Sequence, residues 1–315
     1  MRVPGVSCGQ RFSRPLRTLP IPLVRRFNFL SVFGWGLRNG WDFLLRGFLE
    51  EFTRDEDVAL IVKTSPGPDQ TIDDLRHEVR ALMRHCGLGR NWPPHVLLHP
   101  TLLRSERLPG LYQAADAFVL PTRGEGWGRP FMEAMLMERP VIATRSGGHM
   151  DFLNDENAYL VDCRSTEVPA RAQRDFPVGR PHRWAEPSRA HLRRLMREVF
   201  EDREGARQKA QVARETIVAS YSRQKVAQEV RQHLERIAET TPPGRRTRQP
   251  APGRHTVLWQ GPMTGRDSLA MVNRELTWQL MAAGCERVLQ CLDANPFELD
   301  DQEELRGTAA RIYTG

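Results

Sequence analysis

Short blocks of consecutive apolar residues alternate along the first half of the chain with stretches in which apolar residues recur every three or four positions. Blocks of four to eight apolar residues suit buried strands, and the three-to-four spacing suits helices with one face turned to a core. On that basis Phe27–Phe33 is the first strand. Trp41–Phe52 is an amphipathic helix carrying Phe43, Leu44, Phe48, Leu49 and Phe52, and Val58–Val62 is a second strand. Thr71, followed three residues later by Asp74, has the pattern of a capping box and starts a helix running to about Cys86. His95–Leu98 is a strand, Ser105–Ala115 a helix despite Pro109, and Ala117–Leu120 a buried strand. Val141–Ala143 and Tyr159–Val161 are further short strands. Strands alternating with helices predict an α/β fold, a parallel sheet with helices on both faces, whose ligands bind beyond the strand C-termini.

The pattern then changes. Arg164–Trp184 holds several prolines and no clear period, and reads as a surface excursion ending in His182–Pro187, HRWAEP. Ser188 to about Glu239 is helical by composition, interrupted near Ser220–Ser222. Pro242–His255 has four prolines, four arginines and no acid. It cannot build a core and reads as a tether. Thr256–Gln260 is strand-like, and Gly261–Gly284 reads as loop, helix and glycine stop, with Leu269, Val272, Leu276 and Leu280 on one face. The boundaries are therefore 1–26, proline- and arginine-rich and extended; 27–241, the α/β domain; 242–255, the linker; and 256–315, a partial α/β segment that buries little surface.

The stretch with most chemistry is Ala117–Glu138, AFVLPTRGEGWGRPFMEAMLME. Gly124, Gly126 and Gly128 let backbone approach a ligand, and Pro130 suits the first position of a helix. A helix start behind a glycine loop presents N–H groups and a positive dipole end, which favour phosphate. Glu125 and Glu133 stand eight positions apart on either side of that start. A carboxylate at the mouth can accept hydrogen bonds from sugar hydroxyls; a helix-start acid favoured by the dipole is the plain alternative for Glu133, and a solvated loop acid for Glu125. Trp127 and Arg129 read equally as ligand contacts or as packing and solvent-facing residues. His149, Tyr112 and Asp116 read as ordinary loop or structural residues.

Composition narrows the class. The chain has 315 residues, 40% hydrophobic and 27% charged, with a net charge of +7. Lys63, Lys209 and Lys225 are its only lysines, so arginine carries nearly all the positive charge. Thr256–Gly315 has nine acids and five arginines, net −4, which leaves +11 on the rest. Such a surface suits an anionic ligand or a membrane headgroup layer. Nucleic acid is disfavoured, because no recognition motif accompanies the charge. Cys8, Cys86, Cys163, Cys285 and Cys291 have no metal-ligand spacing and read as reduced, mostly buried residues of a cytoplasmic protein. No apolar run is long enough to span a membrane.

The E-x7-E spacing with its flanking segments resembles the retaining family-4 glycosyltransferases of the GT-B fold. Glu138–Asp162 is similar to the family's next strand, glycine-pair loop and following strand, and Phe27–Phe52 to the opening of its donor-binding half. The resemblance covers about Phe27–Glu239. It implies a Rossmann-like half of a GT-B fold and transfer of a hexose-type sugar from a nucleotide-diphosphate donor to a glycan, lipid or protein acceptor, with no cofactor and no metal. It implies that Glu133 holds the ribose and that Glu125 lies near the transferred sugar. The donor would meet the backbone of Gly126, Trp127 and Gly128, the Arg129 side chain, and the loop at Gly147 and Gly148. Met1–Ser7 is similar to the family's inter-domain segment, so the acceptor-binding half is expected to be missing from this chain. Residues 256–315 resemble the start of a second such module, which reads as a partial protein. Two basic residues that contact the diphosphate in the family correspond here to Gly34 and Asn39, with Arg38 next door as a substitute. That departure keeps open a non-catalytic nucleotide-sugar-binding module; a nucleotide-sugar epimerase is the other alternative.

Overall fold

The computed structural model describes residues 25–67, 70–87, 95–100, 103, 107–173 and 182–240, and three later strands. Described residues up to Val218 belong to one unit and those from Ala219 onward to another. The linker 242–255 and the expected helix within 262–284 lie outside the described residues.

The first unit is built on a six-stranded sheet. Its strands are β1 (Phe27–Gly34), β2 (Val58–Ser65), β3 (Val96–His99), β4 (Ala117–Leu120), β5 (Val141–Thr144) and β6 (Tyr159–Val161), in the spatial order β3-β2-β1-β4-β5-β6. Every pairing is parallel. The strands that are buried along their length, such as Ala117–Leu120 and Val141–Thr144, are the unbroken apolar blocks, as expected of a sheet covered on both faces. β1 meets β2 over eight residues but β4 over only two, Phe29 with Ala117 and Leu30 with Phe118.

Between the strands run α1 (Trp41–Glu51), α2 (Ile72–His85), α3 (Leu108–Gln113) and α4 (Arg129–Leu136). The capping box forms as its residues predict: Thr71 Oγ1 accepts from Asp74 N at 3.2 Å while Asp74 Oδ2 accepts from Thr71 N at 2.7 Å. The described helix α3 lies within the expected Ser105–Ala115 and carries Pro109 in its first turn, where a missing N–H is tolerated. Phe29, Phe48 and Phe52 pack together beneath α1. α6 (Arg189–Glu201) crosses α1, and its Arg193 and Arg197 pair with Glu51 at 3.1 and 2.8 Å.

Three sequence expectations change. Residues 164–184 are not a plain excursion. β7 (Cys163–Glu167) and β8 (Arg183–Pro187) form an antiparallel ribbon flanking the short helix α5 (Ala170–Gln173). Val168, Ala172 and Trp184 bury together against Leu37 and give the ribbon a small core of its own. The helical tail has an extra break at Asp202, whose Oδ1 accepts from Gly205 N at 2.9 Å; this separates α6 from α7 (Arg203–Tyr221). Cys86 and Cys163 are free thiols but half-buried rather than buried.

In the second unit lie α8 (Arg223–Thr240), β9 (Thr256–Gly261), β10 (Glu286–Cys291) and β11 (Arg311–Tyr313). The three strands form a parallel sheet in the order β11-β10-β9. The strand expected at Thr256–Gln260 is β9.

Candidate functional site

The sheet reverses its winding between β1 and β4, so the C-terminal ends of these two strands flank a crevice. Two loops line it. Gly34–Gly40 follows β1 and Pro121–Gly128 follows β4. They are stitched together: Arg123 N donates to Arg38 O at 2.7 Å, Thr122 Oγ1 to the same carbonyl at 3.1 Å, and the Arg38 guanidinium to Gly124 O. A third loop, after β5, joins through Gly148 N, which donates to Glu125 O at 2.8 Å. A Cβ on Gly148 would run into Gly126 O, so only glycine allows this backbone-on-backbone contact.

Gly128 is the N-cap of α4, with φ +88, and a side chain there would strike Phe131. Arg129 is therefore the first helical residue and Pro130 the second, one place later than expected. The amides of Phe131 and Met132 already reach Gly128 O at 3.0 and 3.4 Å.

The two glutamates have different surroundings. The Glu125 side chain is 21% exposed, with Oε2 at 3.8 Å from Arg38 Nη1. It lines a cavity of about 460 Å³ together with Arg38, Gly126, His182, Arg183 and Trp184. Glu133, four residues into α4, is 4% exposed and is not among the described residues that line this cavity. Its Oε2 accepts from the Tyr112 hydroxyl at 2.8 Å, and its Oε1 lies 3.4 Å from Arg129 Nη2. Tyr112 thus does more than pack before β4. Asp116 is structural, its Oδ2 accepting from Asn28 N at 2.7 Å.

Trp127 packs, with Nε1 at 3.0 Å from Met132 Sδ and its ring against Phe152. His149 is wholly buried against Phe131. Its Nε2 lies 2.7 Å from Thr144 O, so that nitrogen carries the proton, and burial pulls the imidazole pKa below its ordinary value. Gly34 and Asn39, the positions without the expected cations, contact each other: Asn39 Nδ2 donates to Gly34 O at 2.6 Å.

Sequence reasoning missed Arg123. Its side chain is 3% exposed and is gripped by Asp42 at 2.7 and 2.8 Å and by Glu186 at 2.7 Å. The guanidinium also lies 4.7 Å from the ring centres of Phe43 and Trp184. Burial opposes its charge, but the bonds and charges of Asp42 and Glu186 win and hold the guanidinium above its usual pKa. Its carbonyl accepts from Ala185 N at 2.9 Å, so Arg123 moors the β7–β8 ribbon to the Glu125 loop.

Residues 25–174 match the family model described as glycosyl transferases group 1. This part of the chain is similar to the group 1 glycosyltransferases. A D-inositol 3-phosphate glycosyltransferase of Corynebacterium diphtheriae is 32% identical over 162 residues, covering 50% of this chain and 35% of the relative. The group 1 segment thus spans about a third of that relative's length. Among solved structures, trehalose-6-phosphate from E. coli bound with UDP-2-fluoro glucose aligns at a TM-score of 0.53 and 13% identity, covering 76% of this chain and 51% of that one. Anabaena Alr3699/HepE in complex with UDP and glucose aligns at 0.52 and 17%, covering 68% and 49%. These likenesses establish a GT-B-type α/β fold. Among the described residues no helix is long and apolar enough to cross a membrane.

Proposed function

We propose that this group 1 glycosyltransferase segment is the donor-binding part of a retaining, cytoplasmic hexosyltransferase that uses a nucleotide-diphosphate sugar. One observation carries the reading: at the strand reversal, the loop that leads into α4 holds the Arg38 guanidinium beside the Glu125 carboxylate. The diphosphate lies against the opening of α4 and the loop at Gly147 and Gly148, with Arg38 and Arg129 as its nearest cations. Glu133 takes the ribose hydroxyls and Glu125 the transferred sugar. The two solved neighbours carry UDP with glucose or a fluorinated glucose, which supports a donor of this class. The acceptor is a glycan, lipid or protein hydroxyl.

Calorimetric titration of the full chain with UDP-glucose and GDP-mannose tests this. One of them binds, and Glu133→Ala weakens it at least about tenfold, the worth of a hydrogen bond to a charged group. Unchanged affinity in that variant would sink the assignment. The contact between Asn39 and Gly34 favours a second reading, a binding module that holds the donor without turning it over. Donor binding with no sugar released to water or to any acceptor distinguishes it.

A further inference from the structure

Tyr112 is fully buried, and its hydroxyl crosses from α3 to the first turns of α4. Two acceptors lie there, Glu133 Oε2 at 2.8 Å and Pro130 O at 3.3 Å. A phenol has one proton to donate, and the shorter distance gives it to the carboxylate. The ring is clamped against Phe118, with centroids 5.8 Å apart, so the hydroxyl is a fixed post. A glutamate has three rotatable side-chain bonds, and the ion pair with Arg129 on its other oxygen is longer, at 3.4 Å. Of these two bonds the one from the phenol is the shorter, and it holds Oε2 in place.

We propose that Tyr112 is a positioning residue for nucleotide recognition: its hydroxyl fixes the Glu133 carboxylate in the orientation that receives the ribose hydroxyls. This rests on the assignment of Glu133 to the ribose. A phenol that merely staples α3 to α4 contributes stability but has no means of telling ribose from a sugar without hydroxyls. A positioning phenol does.

The test compares UDP and GDP with their 2′,3′-dideoxy counterparts by calorimetry on the full 315-residue chain. Four proteins are used: the parent, Tyr112→Phe, Glu133→Ala and the double variant, each with a thermal melt. The parent prefers the ribonucleotide by about tenfold. Glu133→Ala removes the preference. Tyr112→Phe removes most of it while leaving affinity for the dideoxy compound unchanged, and the double variant matches Glu133→Ala alone. A preference that survives Tyr112→Phe but is lost in Glu133→Ala overturns the positioning role and leaves the ribose assignment standing. A preference that survives Glu133→Ala, or no binding of either nucleotide by the parent, overturns both. If Tyr112→Phe does not fold, Glu133→Asp decides. Its shorter arm draws the carboxylate back from the phenol, and a retained preference there overturns the proposal.

Discussion

The two loops at the strand reversal are built alike and equipped differently. Each leaves the C-terminal end of a central strand, and each ends on a glycine of positive φ that caps the following helix, Gly40 before α1 and Gly128 before α4. The loop after β4 carries Glu125 and leads directly to Glu133. The loop after β1, where the resemblance places two cations, has Gly34 and Asn39, bonded to each other. Architecture and chemistry are thus separable here: the two loops share a strand-end origin, a glycine cap and mutual ties, yet one carries Glu125 and the other a neutral contact between Gly34 and Asn39.

The comparison breaks most severely at Arg123, the side chain shared by both loops. Arg123→Leu leaves the half-buried Asp42 and Glu186 without the buried counter-charge between them, and a stability loss of about 3–5 kcal/mol is expected by chemical denaturation. A loss under about 1 kcal/mol, the range of an exposed pair, would mean that the ribbon and the loops do not depend on it.

A gain of function sharpens the comparison next. A Cβ at Gly34 meets no atom within 4 Å, so a side chain can leave the backbone there without a clash. If the β1 loop still faces the diphosphate, Gly34→Arg adds a charge-assisted bond of about 1.5–3 kcal/mol, which is tenfold or more in nucleoside diphosphate affinity. The gain shrinks as salt rises. Affinity unchanged at low salt would show that this loop no longer borders the ligand.

The smallest effect is a matter of pH. His149, His95 and His99 all have pKa values lowered chiefly by burial. A base whose folded value is depressed stays neutral in the fold while the unfolded chain takes up protons. Stability is therefore full above about pH 6.5 and falls as pH drops from there through the folded values. Each such histidine contributes a slope of up to about 1.4 kcal/mol per pH unit. His149→Asn should make the acid slope shallower by one histidine's share, measured as denaturation midpoints between pH 7 and pH 5. An unchanged slope would mean that His149 takes up its proton in the fold.

The sheet was readable because each of its strands holds a mostly apolar run, and α2 because Thr71 and Asp74 sit at capping distance. The glutamate pair stood out by its spacing together with its flanking segments, but the spacing did not show that Glu125 lines the cavity and Glu133 does not. The ribbon was not: Cys163–Glu167 is polar and largely exposed on both sides, so it has no alternating signature, and it is held by Trp184 and by Arg123. Arg123 itself sits beside a glycine loop, where an arginine reads as a solvent or phosphate contact. The partners that bury it are 81 and 63 residues away in the chain. Tyr112 and Glu133 are likewise 21 residues apart, on helices whose meeting no local pattern announces.

The short meeting of β1 and β4 has a consequence for the missing cation. Phe27 N and Trp35 N both bond to β2 or its flank, whereas Asn28 O accepts from Asp116 N beside β4. Odd-numbered residues of β1 thus address one neighbour and even-numbered ones the other, and the carbonyl of Gly34 points to the side where β4 has already ended at Leu120. Asn39 supplies from its side chain the donor that two more residues of β4 would have brought. An asparagine at that place is, in effect, a splice that finishes the ladder.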